Sequence, residues 1–257
     1  MRLKDQVVLL TDAESANGRA LAQRFIDEGA QLIVRTDVED ARHADTNPAR
    51  ICCDPTNEKQ VRALIEETIR RYGRLDVLVS NIQEVQPMTL ETATDAQMQH
   101  ALSRNCAVAF FFTQAAARHM RKQRKGKIIY VGSIHSDKPA GGALGFSLAM
   151  GAVEMLCREV ALDLMGYQVQ SLFVQCGAMA GDDDLFSSTI TPFYDHFEDK
   201  IPGGKFVTHQ EIHDLLVYLA SCECTAFNGA TLCADHGFML HYIPRGTYEE
   251  QGVDAHE

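Results

Sequence analysis

The chain of 257 residues predicts a single α/β domain, in which a doubly wound, seven-stranded parallel sheet is covered by helices on both faces. Short apolar runs alternate with longer segments of helical period from one end to the other. No repeat, low-complexity tract or linker divides residues 1–257. With 46% hydrophobic and 23% charged residues, the composition suits one large core.

Gln6 to Thr11 reads as a buried strand. Asn17 to Glu28 is amphipathic, with Ala20, Leu21, Phe25 and Ile26 on one face, and Gly29 supplies the left-handed stop. Gln31 to Arg35 and Ala49 to Cys53 are the second and third strands. Val61, Leu64, Ile65 and Ile69 repeat at helical spacing in Asn57 to Tyr72, which Thr56 or Asn57 can cap. Val77 to Ser80 is the fourth strand. Two long helices, Asp95 to Lys122 and Gly145 to Met165, flank the fifth, Lys127 to Gly132. Gln168 to Val174 is the sixth strand, Thr208 to Cys222 a helix and Thr231 to Ala234 the last strand. The irregular stretch 178–205 follows the sixth strand, where a long loop covers a ligand crevice. The tail 241–257 is polar.

A net charge of −11 argues against nucleic acid or anionic membrane as partner, since both repel it. The eight cysteines form no CxxC pair and have no histidine at zinc spacing, so buried thiols and no metal are expected. The N-terminal apolar run is too short for a signal peptide, and none approaches the ~18 residues of a membrane span. A cytoplasmic location follows as an expectation.

Six short motifs in order then carry a resemblance. Gly73 to Asn81 reads GRLDVLVSN; Cys53-Asp54 closes the third strand; Asn105 lies mid-helix; Gly132-Ser133 ends the fifth strand; Cys176-Gly177 follows the sixth; Asp235-His236-Gly237 follows the seventh. The chain resembles the short-chain dehydrogenases/reductases over essentially its whole length. That implies a Rossmann-like fold, with Asp54 near adenine, Asn105 and Ser133 as remnants of the catalytic set, and Gly18 and Asn81 as remnants of the cofactor site.

The departures are at chemical positions. The family's TGxxxGxG is Thr11-Asp12-Ala13-Glu14-Ser15-Ala16-Asn17-Gly18 here, so Asp12 and Ala16 replace two glycines. Those glycines let backbone approach a diphosphate at a helix N-terminus. Asp12 and Glu14 place negative charge there, or Asp12 caps the helix instead. Gln83 replaces a glycine on the nucleoside path. The ribose-binding acid falls on Thr36, or on Asp37 after a shift of one. Counting thirteen from Ser133 gives Phe146 and four more Met150, where the family has Tyr and Lys. Phe has no proton to give and Met no charge.

The expectation drawn is a catalytically inactive subunit, holding no cofactor, that supports an active homologous subunit carrying NAD. The hetero-oligomer, a tetramer, would form through the two long helices and the C-terminal region. Heteromeric branches of the family, among them the hydroxybenzylsuccinyl-CoA dehydrogenases, resemble this arrangement. The alternatives are a non-redox enzyme using Ser133 and His135, a ligand sensor using an apolar pocket at Phe146 and Met150, or a residual NAD-dependent oxidoreductase. His135 otherwise reads as a solvated loop histidine.

Overall fold

The computed structural model describes residues 1–37, 48–179 and 197–240. Its seven strands are β1 (Val7–Leu10), β2 (Gln31–Thr36), β3 (Ala49–Cys52), β4 (Val77–Ser80), β5 (Gly126–Ser133), β6 (Val169–Cys176) and β7 (Ala230–Ala234). They pair in parallel in the order β3-β2-β1-β4-β5-β6-β7. Parallel strands joined by helices leave both sheet faces dry at the centre, which is why β1 (VVLL) and β4 (VLVS) are buried along their whole length, while the outer strands β3 and β7 are only partly covered.

The helices are α1 (Ala16–Asp27), α2 (Glu58–Tyr72), α3 (Asp95–Ala101), α4 (Val108–Gln123), α5 (Leu144–Leu164) and α6 (His209–Ala220). One apolar layer joins α1 and α6 to the sheet through Leu21, Phe25, Ile212 and Leu216. The other joins α2, α4 and α5 to it through Leu64, Phe112, Val153 and Cys157. Local chemistry sets the helix ends. Asn57 caps α2 and Gly73 stops it in the left-handed region at φ 73°. Thr94 with Gln97, and Thr208 with Glu211, form capping boxes.

The sequence predicts one helix from Asp95 to Lys122; the structure has α3 and α4 joined by a π-helical turn, Leu102–Ala107. Asn105 explains the interruption. Its amide donates to the carbonyls of Ala101 (3.0 Å) and Glu84 (2.9 Å) and accepts from the Glu84 N–H (2.8 Å). A side chain bonded twice to a loop outside the helix and once to the carbonyl four residues back widens the turn that carries it.

The strand order reverses between β1 and β4, so helices leave the sheet to opposite faces there and a crevice opens beyond the carboxyl ends of the strands. Most of the 178–205 loop, its Asp182–Asp184 run and the 241–257 tail lie outside the described residues. No described helix is long and apolar enough to cross a membrane. All eight cysteines are free thiols. Cys53, Cys157, Cys176 and Cys224 are buried as expected, whereas Cys52, Cys222 and Cys233 are exposed.

Candidate active site

The floor of the crevice is the turn after β1. Asn81, just past β4, fastens it: its amide oxygen accepts from Thr11 Oγ1 (3.1 Å) and the Asp12 N–H (2.8 Å), and its amide nitrogen donates to Asp12 O (2.9 Å). Asn81 therefore shapes the cradle. Gly18 lies buried inside it, and a Cβ there would stand 2.7 Å from Asp12 O. Only glycine allows the turn to close so tightly on α1.

Asp12 does not cap α1, as one of its two expected roles had it. Ser15 is the cap, accepting from the Gly18 N–H at 2.9 Å. The Asp12 carboxylate folds back, accepting from the Glu14 N–H (2.9 Å) and Ser15 Oγ (2.7 Å), and so holds the cap in place. Ala16 is exposed at the start of the helix.

The two candidate positions at β2 differ in exposure. Thr36 is the last, buried residue of the strand, and Asp37 stands just beyond it with its side chain 61% exposed. Arg35, 4% exposed, ion-pairs with Asp37 and donates to Thr11 O at 2.7 Å. One guanidinium thus joins the β1 turn to the carboxylate at the end of β2. Asp54, exposed, accepts from Thr56 N (2.9 Å) and Thr56 Oγ1 (2.7 Å), and these bonds hold its carboxyl below the usual range. Gln83 reaches across to donate to Val131 O at 2.9 Å, tying the β4 loop to β5.

Ser133 and Asn105 are both buried at this edge. Phe146 and Met150 are 1% and 2% exposed and pack with Ala140, Ala143 and Val85. The apolar pocket expected at these two residues is accordingly filled by their own side chains. His135 is not the solvated loop residue expected: it is 2% exposed, in the short 3-10 turn Ile134–Ser136 after β5, because α5 folds over that turn. Its Nδ1 lies 2.7 Å from Lys138 O, and its ring meets the Phe146 ring edge-on with centroids 6.4 Å apart. Burial pushes its pKa down. Gln175, buried at the end of β6, donates to Ser136 Oγ at 3.0 Å. Nothing in the letters SIHSDK distinguishes this buried turn from a surface loop, and Gln175 lay outside every motif.

A family profile described as "Enoyl-(Acyl carrier protein) reductase" matches residues 13–239. L-fucose dehydrogenase of Bos taurus is 30% identical over 94% of this chain and 92% of its own length. The chain belongs to the short-chain dehydrogenase/reductase family. The 3-oxoacyl-[acyl-carrier-protein] reductase FabG of Thermotoga maritima is 25% identical over 93% of this family member and 100% of its own length. A gluconate 5-dehydrogenase from Burkholderia cenocepacia, solved in complex with NADP and tartrate, superposes with a TM-score of 0.86 at 24% identity, over 94% of this chain and 98% of that one.

Two expectations are corrected by these relatives. An inactive subunit was expected from Phe146 and Met150; the family members matching along nearly the whole chain are named as dehydrogenases and reductases. No cofactor was expected in this chain, with NAD held by a partner; a chain of the same fold and extent was solved with NADP. The physical reason is that the substituted positions are a few points on a cradle whose other parts, Gly18, the α1 N-terminus and the β2 end, remain in place.

Proposed function

We propose that this short-chain dehydrogenase/reductase is an oxidoreductase that itself takes a nicotinamide dinucleotide, with NAD preferred to NADP, and interconverts an alcohol and a carbonyl compound. The observation that carries the reading is Asp37: an exposed carboxylate just beyond β2, linked through Arg35 to the turn that holds Gly18. An acid about 20 residues after the glycine turn accepts hydrogen bonds from a ribose diol. The α1 N-terminus would take the diphosphate, with Gly18 allowing the close approach, because the helix dipole attracts anions there. Asp12 weakens that grip without closing it, since its carboxylate is folded onto Glu14 and Ser15.

When bound, the dinucleotide would supply the electron-pair acceptor or donor. Ser133, buried at the end of β5, would donate a hydrogen bond to the substrate oxygen. The packed ring of Phe146 and the thioether of Met150 would exclude water from the reacting carbon and favour an apolar substrate body. The test is calorimetric titration of the purified chain with NADH and NADPH. NADH binding in the micromolar range with weaker NADPH is expected, and no binding of either at millimolar concentration refutes the proposal.

We also propose that a second chain of this fold packs on the α4–α5 face. Phe110, Leu148, Met155 and Leu162 there are between 42% and 68% exposed. Apolar exposure of that kind favours association. Light scattering of the purified chain, alone and with an intact family member, distinguishes self-association from a mixed assembly; a monomer in both refutes it.

A further inference from the structure

A dinucleotide held by Asp37 at the end of β2 and by the turn after β1 runs across the carboxyl ends of the strands. Neighbouring strands stand about 4.8 Å apart. In the order β3-β2-β1-β4-β5, a ligand passing from β2 over β1 comes next to β4 and the gap between β4 and β5. Its second ribose therefore arrives at the loop after β4. We infer that Gln83 holds that ribose, its Oε1 accepting a hydrogen bond from one of the ribose hydroxyls. The residue that stands in place of a glycine is then a grip on the ligand rather than an obstacle to it. This inference rests on the dinucleotide reading of the site.

Three features support it. The first is place. The last pair between β4 and β5 is Ser80 with Tyr130. One residue further along β5, Val131 O accepts from Gln83 Nε2 at 2.9 Å. A side chain thus continues the ladder where β4 has ended, two residues before Ser133. The second is orientation. A backbone carbonyl only accepts, so the amide nitrogen of Gln83 faces β5 and Oε1 is the outward end. No described residue donates to Oε1, and Gln83 is half-buried, so that oxygen stays accessible. The nearby amides differ. Asn81 and Asn105 have both ends engaged within the protein. The third is rigidity. The chain is pinned on both sides of Gln83, at Asn81 by the β1 turn and at Glu84 by Asn105. A group already held in place loses little freedom when it binds.

Val85, two residues on, packs with Phe146 and Met150, and neither of those side chains is a strong acceptor for a hydroxyl. Gln83 supplies the acceptor that this corner otherwise lacks.

The test is calorimetric titration of the full chain with ADP, ADP-ribose and NADH, in wild type, Gln83→Met and Gln83→Gly. ADP carries the first ribose and the diphosphate, and ADP-ribose adds the second ribose. Wild type should bind ADP-ribose more tightly than ADP. Gln83→Met keeps the length of the side chain and removes the acceptor. It should raise Kd for ADP-ribose and NADH by about 3- to 10-fold, the loss of one neutral hydrogen bond, and leave ADP unchanged. Gln83→Gly should weaken the same two ligands. Tighter NADH binding in Gln83→Gly would mean that the side chain obstructs the path, and overturns the inference. Equal losses for ADP and ADP-ribose would mean that Gln83 only braces the loop, and unchanged affinities would mean that it touches nothing; either result overturns it as well. Either variant alone decides the matter if the other fails to fold, and the comparison of ADP with ADP-ribose in wild type needs neither. ADP bound as tightly as ADP-ribose there sinks this inference and spares the first half of the site. Wild type that binds none of the three ligands sinks the dinucleotide reading itself.

Discussion

Replacing Asp37 with serine tests the cofactor reading where it is most exposed to refutation. A hydrogen bond to a charged group contributes about 1.5–3 kcal/mol, and a carboxylate can accept two from a ribose diol. Asp37 is 61% exposed and already paired with Arg35, so solvent and the guanidinium take part of that energy. We expect Asp37→Ser to weaken NADH by about 1–2 kcal/mol, roughly 5- to 30-fold in Kd. The same carboxylate repels a 2′-phosphate. Two unit charges about 4 Å apart interact by about 4 kcal/mol at an effective dielectric near 20, and surface exposure and salt reduce this severalfold. Wild type should thus favour NADH over NADPH by about tenfold or more, and Asp37→Ser should erase the preference, since the Arg35 guanidinium would then be free of its acid and face the phosphate. The assay is isothermal calorimetry at two salt concentrations, with the preference shrinking as salt rises. Equal NADH affinity in Asp37→Ser and wild type would refute the placement of the ribose.

Other perturbations probe the frame that holds the site. Lys127, half-buried in β5, donates to Leu219 O (2.9 Å), Cys224 O (2.6 Å) and Ser221 O, and so ties off the end of α6. Lys127→Met should cost about 2–4 kcal/mol by stranding those carbonyls, lowering Tm by about 2–4 °C for each kcal/mol, as seen by calorimetric melting. Phe146→Ala should cost about 3–5 kcal/mol, because a fully buried ring leaves a cavity, and should broaden the His135 imidazole resonances. His213, buried between α6 and α1 with Nε2 2.8 Å from Asn17 Oδ1, has its pKa pushed down to about 4 by burial and by His209. The folded state therefore resists a proton that the unfolded state accepts. Stability should be fully present above pH ~6.5 and fall between ~6.5 and ~4, by at most about 3 kcal/mol, and denaturant melts of His213→Gln should lose that slope.

The strands and most helices were legible because an apolar period records directly which face a segment buries. Val61, Leu64 and Ile65 could only be one stripe of α2, and they line the sheet as the spacing requires. The π-helical turn at Leu102–Ala107 was not legible. Its sequence continues the helical pattern, and the cause lies in Glu84, on a loop about 20 residues away in sequence, which no local period reports. The choice between Thr36 and Asp37 stayed open because one residue at a strand end moves a side chain from core to solvent. Pairing of Thr36 with Cys52 makes Thr36 the end of β2 and leaves Asp37 beyond it. The burial of His135 was hidden for the opposite reason. A polar turn of Ser, His, Ser and Asp looks solvated, and only the packing of α5 across it shows otherwise.

The same reasoning accounts for why missing letters led to an expectation of inactivity. A motif treats each position as a requirement, whereas catalysis is a sum of free energies. Loss of one general acid/base removes about 10²–10⁴-fold, some 3–5 kcal/mol, from rate enhancements that amount to about 8–23 kcal/mol. Holding the substrate carbon against the dinucleotide can supply about 7–11 kcal/mol without any proton-transfer group. That contribution depends on the rigidity of the crevice, and among the described residues the crevice is tied at four points: Asn81 to the β1 turn, Arg35 to the β2 end, Gln83 to β5, Gln175 to the turn carrying His135. A Phe and a Met buried in such a frame do not subtract from positioning; they contribute to it. What they remove is a proton-transferring hydroxyl and a cation, two groups that a phenyl ring and a thioether do not replace.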